Sequence, residues 1–218
     1  MSQHTLTLLR FTYKKLKEKL TVSDSKKLFH EEFPYVIPGL YKRIVDEILV
    51  ELNLLNHQNE FKQDYLFCIG LTETFKELTK GYKPEKHLDL LFESLWISTN
   101  FEAKEIKEIS EISQKEFSDK SSKDILKLLK EKSNSKLYPS RILNSGIYIL
   151  ISNSQDFKDK NEIEINKMIS DIFEKLSLSP NKAEKDIGIY KSSISKMEQA
   201  KELIEELRIK DKKKDQKK

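Results

Sequence analysis

The feature that most limits the fold of this chain is apolar residues at helical spacing, interrupted by very few residues that end helices. From Pro38 to about Asn56, apolar residues recur every three or four positions, as in a helix with one buried face. The chain has only five Gly and five Pro in 218 residues, whereas about 7% and 5% are usual. Sheets and elaborate loops generally need more of both. We therefore predict an all-α protein, a multi-helix bundle.

The same spacing recurs along most of the chain. Residues 140–152 are ambiguous, because their β-branched residues favour a strand while their apolar spacing fits a helix. No partner strand is evident, so a helix is predicted there. Six further helices are predicted. One begins at the N-cap Ser23 and ends at Pro34, one runs from an Asp64 cap to Gly81, and one starts after Pro84. The remaining three cover 102–117, Asp124 to Lys132 and 161–178.

A long helix is predicted to begin at Ser179 and Pro180, an N-cap followed by a first-position proline. Its residues follow a heptad period, although charged residues occupy two positions, so the coiled-coil character is weak. The predicted organisation is an amphipathic arm over 1–20, a bundle over 21–178, this helix over 179–209 and a basic disordered tail over 210–218. The predicted coiled-coil seam consists of Ile187, Tyr190, Ile194, Met197 and Ile204.

The positive charge is concentrated at the end of the chain. The net charge is +4, but residues 208–218 hold seven basic and two acidic residues, so the remainder is nearly neutral. A neutral body argues against a nucleic-acid groove, because phosphate contacts supply most of that affinity. The tail is either simply solvated, which is slightly favoured, or attracted to an anionic membrane surface. The membrane candidates are Lys212, Lys213, Lys214, Lys217 and Lys218.

Other features indicate where the protein works. No apolar run approaches the 18 or so residues of a membrane span, and residues 1–20 do not form a secretory signal. The single cysteine, Cys68, excludes an internal disulfide framework and suits a reducing compartment. We expect a soluble, non-secreted protein.

No familiar reactive motif is present. No two glycines lie within six positions, which excludes phosphate-cradling loops and dinucleotide fingerprints. No histidine follows a glutamate at Glu-x-x-His spacing, and the cluster His30 to Glu32 is expected to be a solvated face. Cys68 and Trp96 fit a helical core better than a reactive or ligand site. We expect no catalytic residue, metal, cofactor, small-molecule substrate or nucleic-acid partner.

Three segments resemble one known family. FHEEFPYVIPGLYKRIVDEILVEL at 29–52 is similar to the start of the thylakoid formation protein family, photosystem II accessory factors of cyanobacteria and plastids. GYKPEKHLDLLFESLW at 81–96 and YKSSISKMEQAKELIEEL at 190–207 resemble its middle and its C-terminal helix. The resemblance covers nearly all of the chain, least clearly 100–135.

The resemblance implies an all-helical, non-enzymatic protein needed for thylakoid membranes and for photosystem II biogenesis and repair. It implies action through membrane-bound FtsH protease complexes, with photosystem II subunits as further candidate partners. The expected location is the cytoplasmic face of the thylakoid membrane, by peripheral association. The absence of a transit-like extension indicates the bacterial form of the family.

The leading hypothesis is an adaptor that stabilises or regulates the protease complex through exposed residues near the proline-bracketed connector 34–38, with the long C-terminal helix as a further candidate surface. Its candidate partner-binding residues are Phe33, Tyr35 and Arg43. The structural alternative, at about even odds, is that Tyr35 and Val36 only pack the connector against the bundle. A second hypothesis is a membrane organiser that binds anionic lipid through the tail and the arm over 1–20. An enzyme or pigment carrier is least supported.

Overall fold

The structure, a computed structural model, describes residues 19–101, 108, 116–133 and 137–215, except the side chains of Arg208 and 210–215. These residues form α-helices and one short 3-10 helix, with no strand among them, which confirms the all-α prediction. The helices described in full are α1 (Val22–Glu32), α2 (Gly39–Asn56), α3 (Tyr65–Leu78), α4 (Leu88–Ile97), α5 (Ser122–Lys132), α6 (Arg141–Ser152), α7 (Glu162–Lys175) and α8 (Pro180–Asp215), with the 3-10 turn at Glu85–His87 before α4.

Local cap chemistry decides where several helices begin. The N-cap of α1 is Thr21 rather than the predicted Ser23, because the Thr21 hydroxyl accepts from Asp24 N at 3.2 Å while the Asp24 carboxylate accepts from Thr21 N at 3.2 Å. Ser140 caps α6, so the ambiguous segment is a helix as predicted. The Ser179 hydroxyl accepts from Lys182 N at 3.4 Å at the start of α8, which confirms the predicted start.

The described residues group into two compact units, one formed by those within 1–64 and 79–112 and the other by those within 65–78 and 113–218. The predicted division into a bundle over 21–178 and a separate helix over 179–209 differs from this grouping. Helix α3 belongs to the second unit although its neighbours in the chain belong to the first. The physical reason is a close backbone contact that α3 makes with α6.

In the first unit, α1 packs on α2 and α4, and α2 also packs on α4. The apolar stripe of α2 is buried as the sequence predicts, from Tyr41 to Leu55. The buried Asn53 donates to Leu20 O at 2.7 Å and to Ser25 Oγ at 2.8 Å, which fixes the start of α1 against α2. Trp96 of α4 is 1% exposed in the core.

In the second unit, α3 and α6 cross with their backbones in contact at two glycines. A Cβ atom added to Gly146 would lie 2.1 Å from the Cα of Gly70, far inside van der Waals distance. Glycine in a helix interior costs about 1 kcal/mol relative to alanine, so the close approach of the backbones is what makes it favourable here. We call this contact the glycine crossing. Helix α8 then packs on α6 and α7 in the same unit.

Two predicted segments fall largely outside the described residues, and one prediction is corrected. The arm over 1–20 is described only at its last two residues, and the helix over 102–117 only at Glu108, Glu116 and Phe117. Residues 210–215, predicted to be disordered, continue α8 to Asp215. No Gly or Pro follows Gly188 and lysine is a good helix former, so the helix has no local reason to end earlier.

No helix in the described part of the chain is both long and apolar enough to cross a membrane.

Candidate partner-binding surfaces

Phe33 closes α1 and turns the chain into the connector. Its N–H donates to Phe29 O at 2.8 Å, and its backbone then leaves the helical region, as a residue before proline must. The side chain is 1% exposed and stacks on Phe29 with ring centroids 5.9 Å apart. The sequence placed Phe33 among exposed partner-binding residues. Its burial corrects that prediction, because a side chain without exposed surface cannot contact a partner directly.

Tyr35 lies on the surface but is held in place by other aromatic rings. Its ring stacks on His87 with centroids 3.9 Å apart and planes 18° from parallel, and it meets the edge of Phe33 at 5.5 Å. Tyr35 is 47% exposed. The 3-10 turn supplies His87, whose buried Nδ1 has no hydrogen-bond partner among the described atoms. We call Tyr35 on His87 the aromatic stack.

Val36 is the most exposed large apolar residue in the described chain, at 92%. It follows Tyr35 directly and precedes Ile37, whose backbone is restricted by Pro38. An apolar side chain with this exposure adds nothing to the core. The alternative that Tyr35 and Val36 both serve only to pack the connector therefore fails for Val36 and holds in part for Tyr35.

Arg43 lies on the exposed side of α2. Its Nε atom donates to Glu47 Oε1 at 2.8 Å, and 79% of its side chain is exposed. An exposed i, i+4 pair of this kind is worth a few tenths of a kcal/mol. This hydrogen bond of Arg43 lies within its own helix and does not join it to the aromatic stack.

The seam of α8 divides into a buried part and an exposed part. Ile187 and Met197 are both 5% exposed, Tyr190 and Ile194 are half-buried, and Ile204 is 41% exposed. The seam therefore packs against the second unit as far as Met197. It does not remain buried at Ile204.

Three contacts hold the first half of α8 on α6. Asn144 Nδ2 donates to Asp186 Oδ2 at 2.7 Å, and the Tyr148 and Tyr190 rings meet edge to face with centroids 6.0 Å apart. Lys191 Nζ lies 5.0 Å from the centroid of the Tyr148 ring. Burial first, then the negative charge of Glu77 and the proximity of Tyr148, raise the pKa of Tyr190 above its usual range.

The predicted membrane residues lie at the end of this helix. Lys212, Lys213 and Lys214 are on the helical backbone of α8, whereas Lys217 and Lys218 lie outside the described residues. The structure thus places part of the predicted tail in a regular element. It does not test lipid binding.

The described residues offer little for chemistry. Within them, no group of three or more His, Cys, Asp or Glu side chains is arranged to hold a metal ion. Cys68 is buried at 1% exposure within α3, as the sequence predicts for a core cysteine.

The sequence analysis did not name His87 or the exposed Val36 as candidate partner-binding residues. His87 was weighed only as a metal ligand, and nothing local indicates that its ring supports Tyr35. A signal for Val36 was present, because an apolar residue between two prolines cannot join the buried stripe of a helix. The connector surface, defined as Tyr35, Val36 and His87, is the candidate functional site.

Comparisons with known proteins agree with this fold. A structure of Psb29 covers 89% of this chain and 98% of its own, with a TM-score of 0.76 at 26% sequence identity. A protein named Thf1 from Prochlorococcus marinus strain MIT 9312 is 94% identical over 199 residues, which are 91% of this chain and 99% of that relative. Another Thf1, from Prochlorococcus marinus strain CCMP1986, is 73% identical over 91% of this chain and 98% of its own length.

The family comparison covers nearly the whole chain. The model of the family described as "Thylakoid formation protein" matches residues 21–218, which include the connector surface and all of α8. The relatives above are cyanobacterial and are matched almost over their full length. This chain belongs to the thylakoid formation protein family.

Proposed function

We propose that this protein is a non-enzymatic accessory factor in thylakoid biogenesis and in photosystem II assembly and repair. It acts by binding membrane FtsH protease complexes and stabilising or regulating them, with photosystem II subunits as further candidate partners. Membership of the thylakoid formation protein family supports the thylakoid role. The protein then works at the cytoplasmic face of the thylakoid membrane, bound peripherally through its partner.

The observation that carries the adaptor role is the exposure of Val36 beside a fixed aromatic ring. Val36 is 92% exposed, and the adjacent Tyr35 is already held on His87. Ordering side chains on binding costs about 0.5–1.5 kcal/mol for each flexible one, and the aromatic stack reduces that cost for Tyr35. Aromatic residues are also enriched among the residues that contribute most to protein interfaces.

Phe33 and Arg43 have different roles in this surface. Phe33 supports Tyr35 from the core side, since the two rings meet at 5.5 Å. Arg43 is 79% exposed at its side chain and supplies a charged group on the same unit. Charged residues at the rim of an interface mainly affect the rate of association. We therefore expect Val36 and Tyr35 to matter more than Arg43 for the stability of the complex.

The test is a pulldown of the tagged full-length protein from gently solubilised thylakoid membranes. The variant Val36→Asp is compared with Ile163→Asp, which changes an apolar residue that is 81% exposed in the second unit. Both variants add one charge at an exposed apolar position, so both should fold, as thermal unfolding will verify. We expect the protease to be recovered with the wild type and with Ile163→Asp, and to be lost with Val36→Asp.

The three ways in which this test can fail are distinct. Full recovery of the protease with Val36→Asp would show that the connector surface is not the binding site. A wild-type pulldown without any membrane protease would show that the proposed partner is wrong. A loss of the protease with both variants would show that an added negative charge weakens binding wherever it lies on the surface.

A second candidate function is a membrane-surface organiser. Its supporting observation is that α8 continues to Asp215, so Lys212, Lys213 and Lys214 lie along one helix. Each basic residue near an anionic membrane contributes about 1 kcal/mol. Flotation of the protein with anionic liposomes, with and without residues 208–218, tests this function. An identical, salt-insensitive result for the two forms would contradict it.

A further inference from the structure

His87 supports the exposed ring of the connector surface. Its own ring lies against Tyr35 with centroids 3.9 Å apart and planes 18° from parallel, and it meets the edge of Phe33 at 6.2 Å. Histidine is also the side chain whose charge most readily changes between pH 5 and 8. The position of Tyr35 therefore depends on a group that can gain a positive charge.

The two ring nitrogens of His87 have different surroundings. Nδ1 is buried and has no hydrogen-bond partner among the described atoms, whereas Nε2 is not buried in this way, so water can reach it. A neutral imidazole carries a proton on one nitrogen, and a positive imidazole carries one on both. The neutral ring can keep its proton on Nε2. The positive ring must place a second N–H at Nδ1, where nothing in the described structure accepts it.

A positive charge is unfavourable where the His87 ring lies. A buried donor without an acceptor loses its hydration without replacement, and the loss is larger for a charged group. His87 is also the residue before α4, at the positive end of that helix dipole. The attraction between a cation and the Tyr35 ring acts in the opposite direction, but it is the smaller effect because Tyr35 is 47% exposed.

No carboxylate of the surrounding elements supplies the missing acceptor. Lys83 and Glu85, on the same 3-10 turn, form an ion pair with each other. Helices α1 and α2 pack on α4. The other charged or titratable groups in the adjoining turns of these elements are Lys86, Asp89, His30, Glu31, Glu32 and Lys42. Among the described residues, none of them forms a hydrogen bond or an ion pair with His87.

We propose that His87 is the positioning residue of the connector surface and that its protonation releases Tyr35, so that partner binding weakens as the pH falls. This regulation rests on the proposed function, because it concerns the same surface. The neutral ring holds Tyr35 in place beside Val36. The positive ring turns Nδ1 towards water and gives up the parallel contact at 3.9 Å. Tyr35 must then be ordered again when the partner binds, which costs affinity.

The first test uses the full-length protein without any partner. Nuclear Overhauser contacts between the Tyr35 and His87 rings are measured at about pH 7.5 and about pH 5.5, towards the two ends of the range in which histidine changes charge. We expect the contact at the higher pH and its loss at the lower pH, with unchanged helical content by circular dichroism. A ring contact that persists after His87 has taken up its proton would overturn the proposal.

The second test repeats the pulldown from thylakoid membranes at the same two pH values. The wild type should recover at least about threefold less protease at the lower pH, because apparent affinity falls with the fraction of binding-competent protein. His87→Phe keeps an aromatic ring against Tyr35 but takes up no proton, so it should recover equal amounts at both. His30→Gln is the matched control, because His30 is exposed and its ring meets Phe29 at 5.6 Å. It should keep the pH dependence of the wild type.

These results separate the role of His87 from the adaptor role. The same pH dependence in the wild type and in His87→Phe would overturn the role of His87 and leave the adaptor role intact. Stronger recovery by the wild type at the lower pH would also overturn it, because the positive ring would then hold Tyr35 better than the neutral one. A wild type that recovers no protease at either pH would contradict the proposed partner, and the ring contact in the isolated protein would then decide the role of His87.

Discussion

The glycine crossing in the second unit and the connector surface in the first unit use unusual residues for opposite purposes. At the crossing, Gly70 and Gly146 bring two helix backbones into contact and leave no space for a side chain. In the connector, Val36 projects an apolar side chain with 92% exposure. The first arrangement contributes to folding and tolerates almost no change. The second contributes nothing to the core and should tolerate most changes as far as folding is concerned.

We infer from this contrast that stability and partner binding depend on different residues in this protein. A substitution at the crossing should affect partner binding only by reducing the amount of folded protein. A substitution at Val36 or Tyr35 should affect partner binding with a small effect on folding. The substitutions below test whether folding and partner binding depend on different residues.

The largest effect is expected for Gly146→Ala. Its new methyl group would lie 2.1 Å from the Cα of Gly70, and backbone atoms cannot move away as a flexible side chain does. Overpacking typically costs 1–3 kcal/mol, and rigid surroundings raise the cost, so we expect a loss of about 3 kcal/mol in the free energy of unfolding by urea. A variant as stable as the wild type would show that the helices separate easily.

The next largest effect is expected for Asp156, which joins the loop after α6 to the start of α5. Its carboxylate accepts from Ser122 N at 2.7 Å and from Ser122 Oγ at 2.6 Å, and Lys160 Nζ lies 3.0 Å away. Hydrogen bonds to a charged group contribute about 1.5–3 kcal/mol. We expect Asp156→Asn to reduce the free energy of unfolding by about 2 kcal/mol at neutral pH.

The same carboxylate gives a pH dependence. Burial favours its neutral form, but hydrogen bonds from Ser122, then Lys160, outweigh burial and hold the pKa of Asp156 well below its usual range. Because the folded-state pKa is lowered, this stabilisation is present above the unfolded pKa of about 4 and is lost as the pH falls below it. The difference between wild type and Asp156→Asn should therefore shrink in urea titrations below pH 4. A constant difference would contradict this role.

A smaller effect on folding is expected for Tyr35→Ala, which removes the aromatic stack. Aromatic pairs contribute about 0.5–1.5 kcal/mol beyond their buried area, so we expect a loss of about 1 kcal/mol with a clear loss of protease in the pulldown. Tyr35→Phe keeps the ring and serves as the control, with both properties near wild type. Equal losses in the two variants would assign the effect to the hydroxyl group.

The smallest effect, and one of opposite sign, is expected for Gly188→Ala. Gly188 lies within α8, and a Cβ atom there would meet nothing within 4 Å. Alanine is preferred to glycine in helices by about 1 kcal/mol, so thermal unfolding should show a gain of about 0.5–1 kcal/mol. The same substitution thus has opposite signs at Gly188 and Gly146. A loss at Gly188 would mean that an unseen contact occupies its surroundings.

Much of the fold could be predicted because helix formation depends on nearby residues. The stripe of α2, the helix over 140–152 and the start of α8 at Ser179 and Pro180 were predicted from local spacing and cap chemistry. The missed cap of α1 was also local, since Thr21 and Asp24 form a capping box that outcompetes Ser23. The error for 210–215 arose because high charge was taken as disorder.

The candidate site was less predictable. The sequence indicated the connector through its prolines, and it named Tyr35 correctly as a surface residue. It also placed Phe33 on the surface, whereas that ring is buried. His87 could not be associated with Tyr35, because the stack joins residues far apart in the chain.

Local sequence is enough to predict that this protein is helical, where most of its helices begin and end, and that its charge is concentrated at the C-terminus. These properties depend on hydrogen bonds and side-chain spacing within a few residues. The three-dimensional structure was needed to show that α3 joins the second unit through Gly70 and Gly146, that Tyr35 stacks on His87, and that α8 is buried only as far as Met197. Those outcomes depend on contacts between distant residues, and local spacing does not specify which distant surface a helix face will meet.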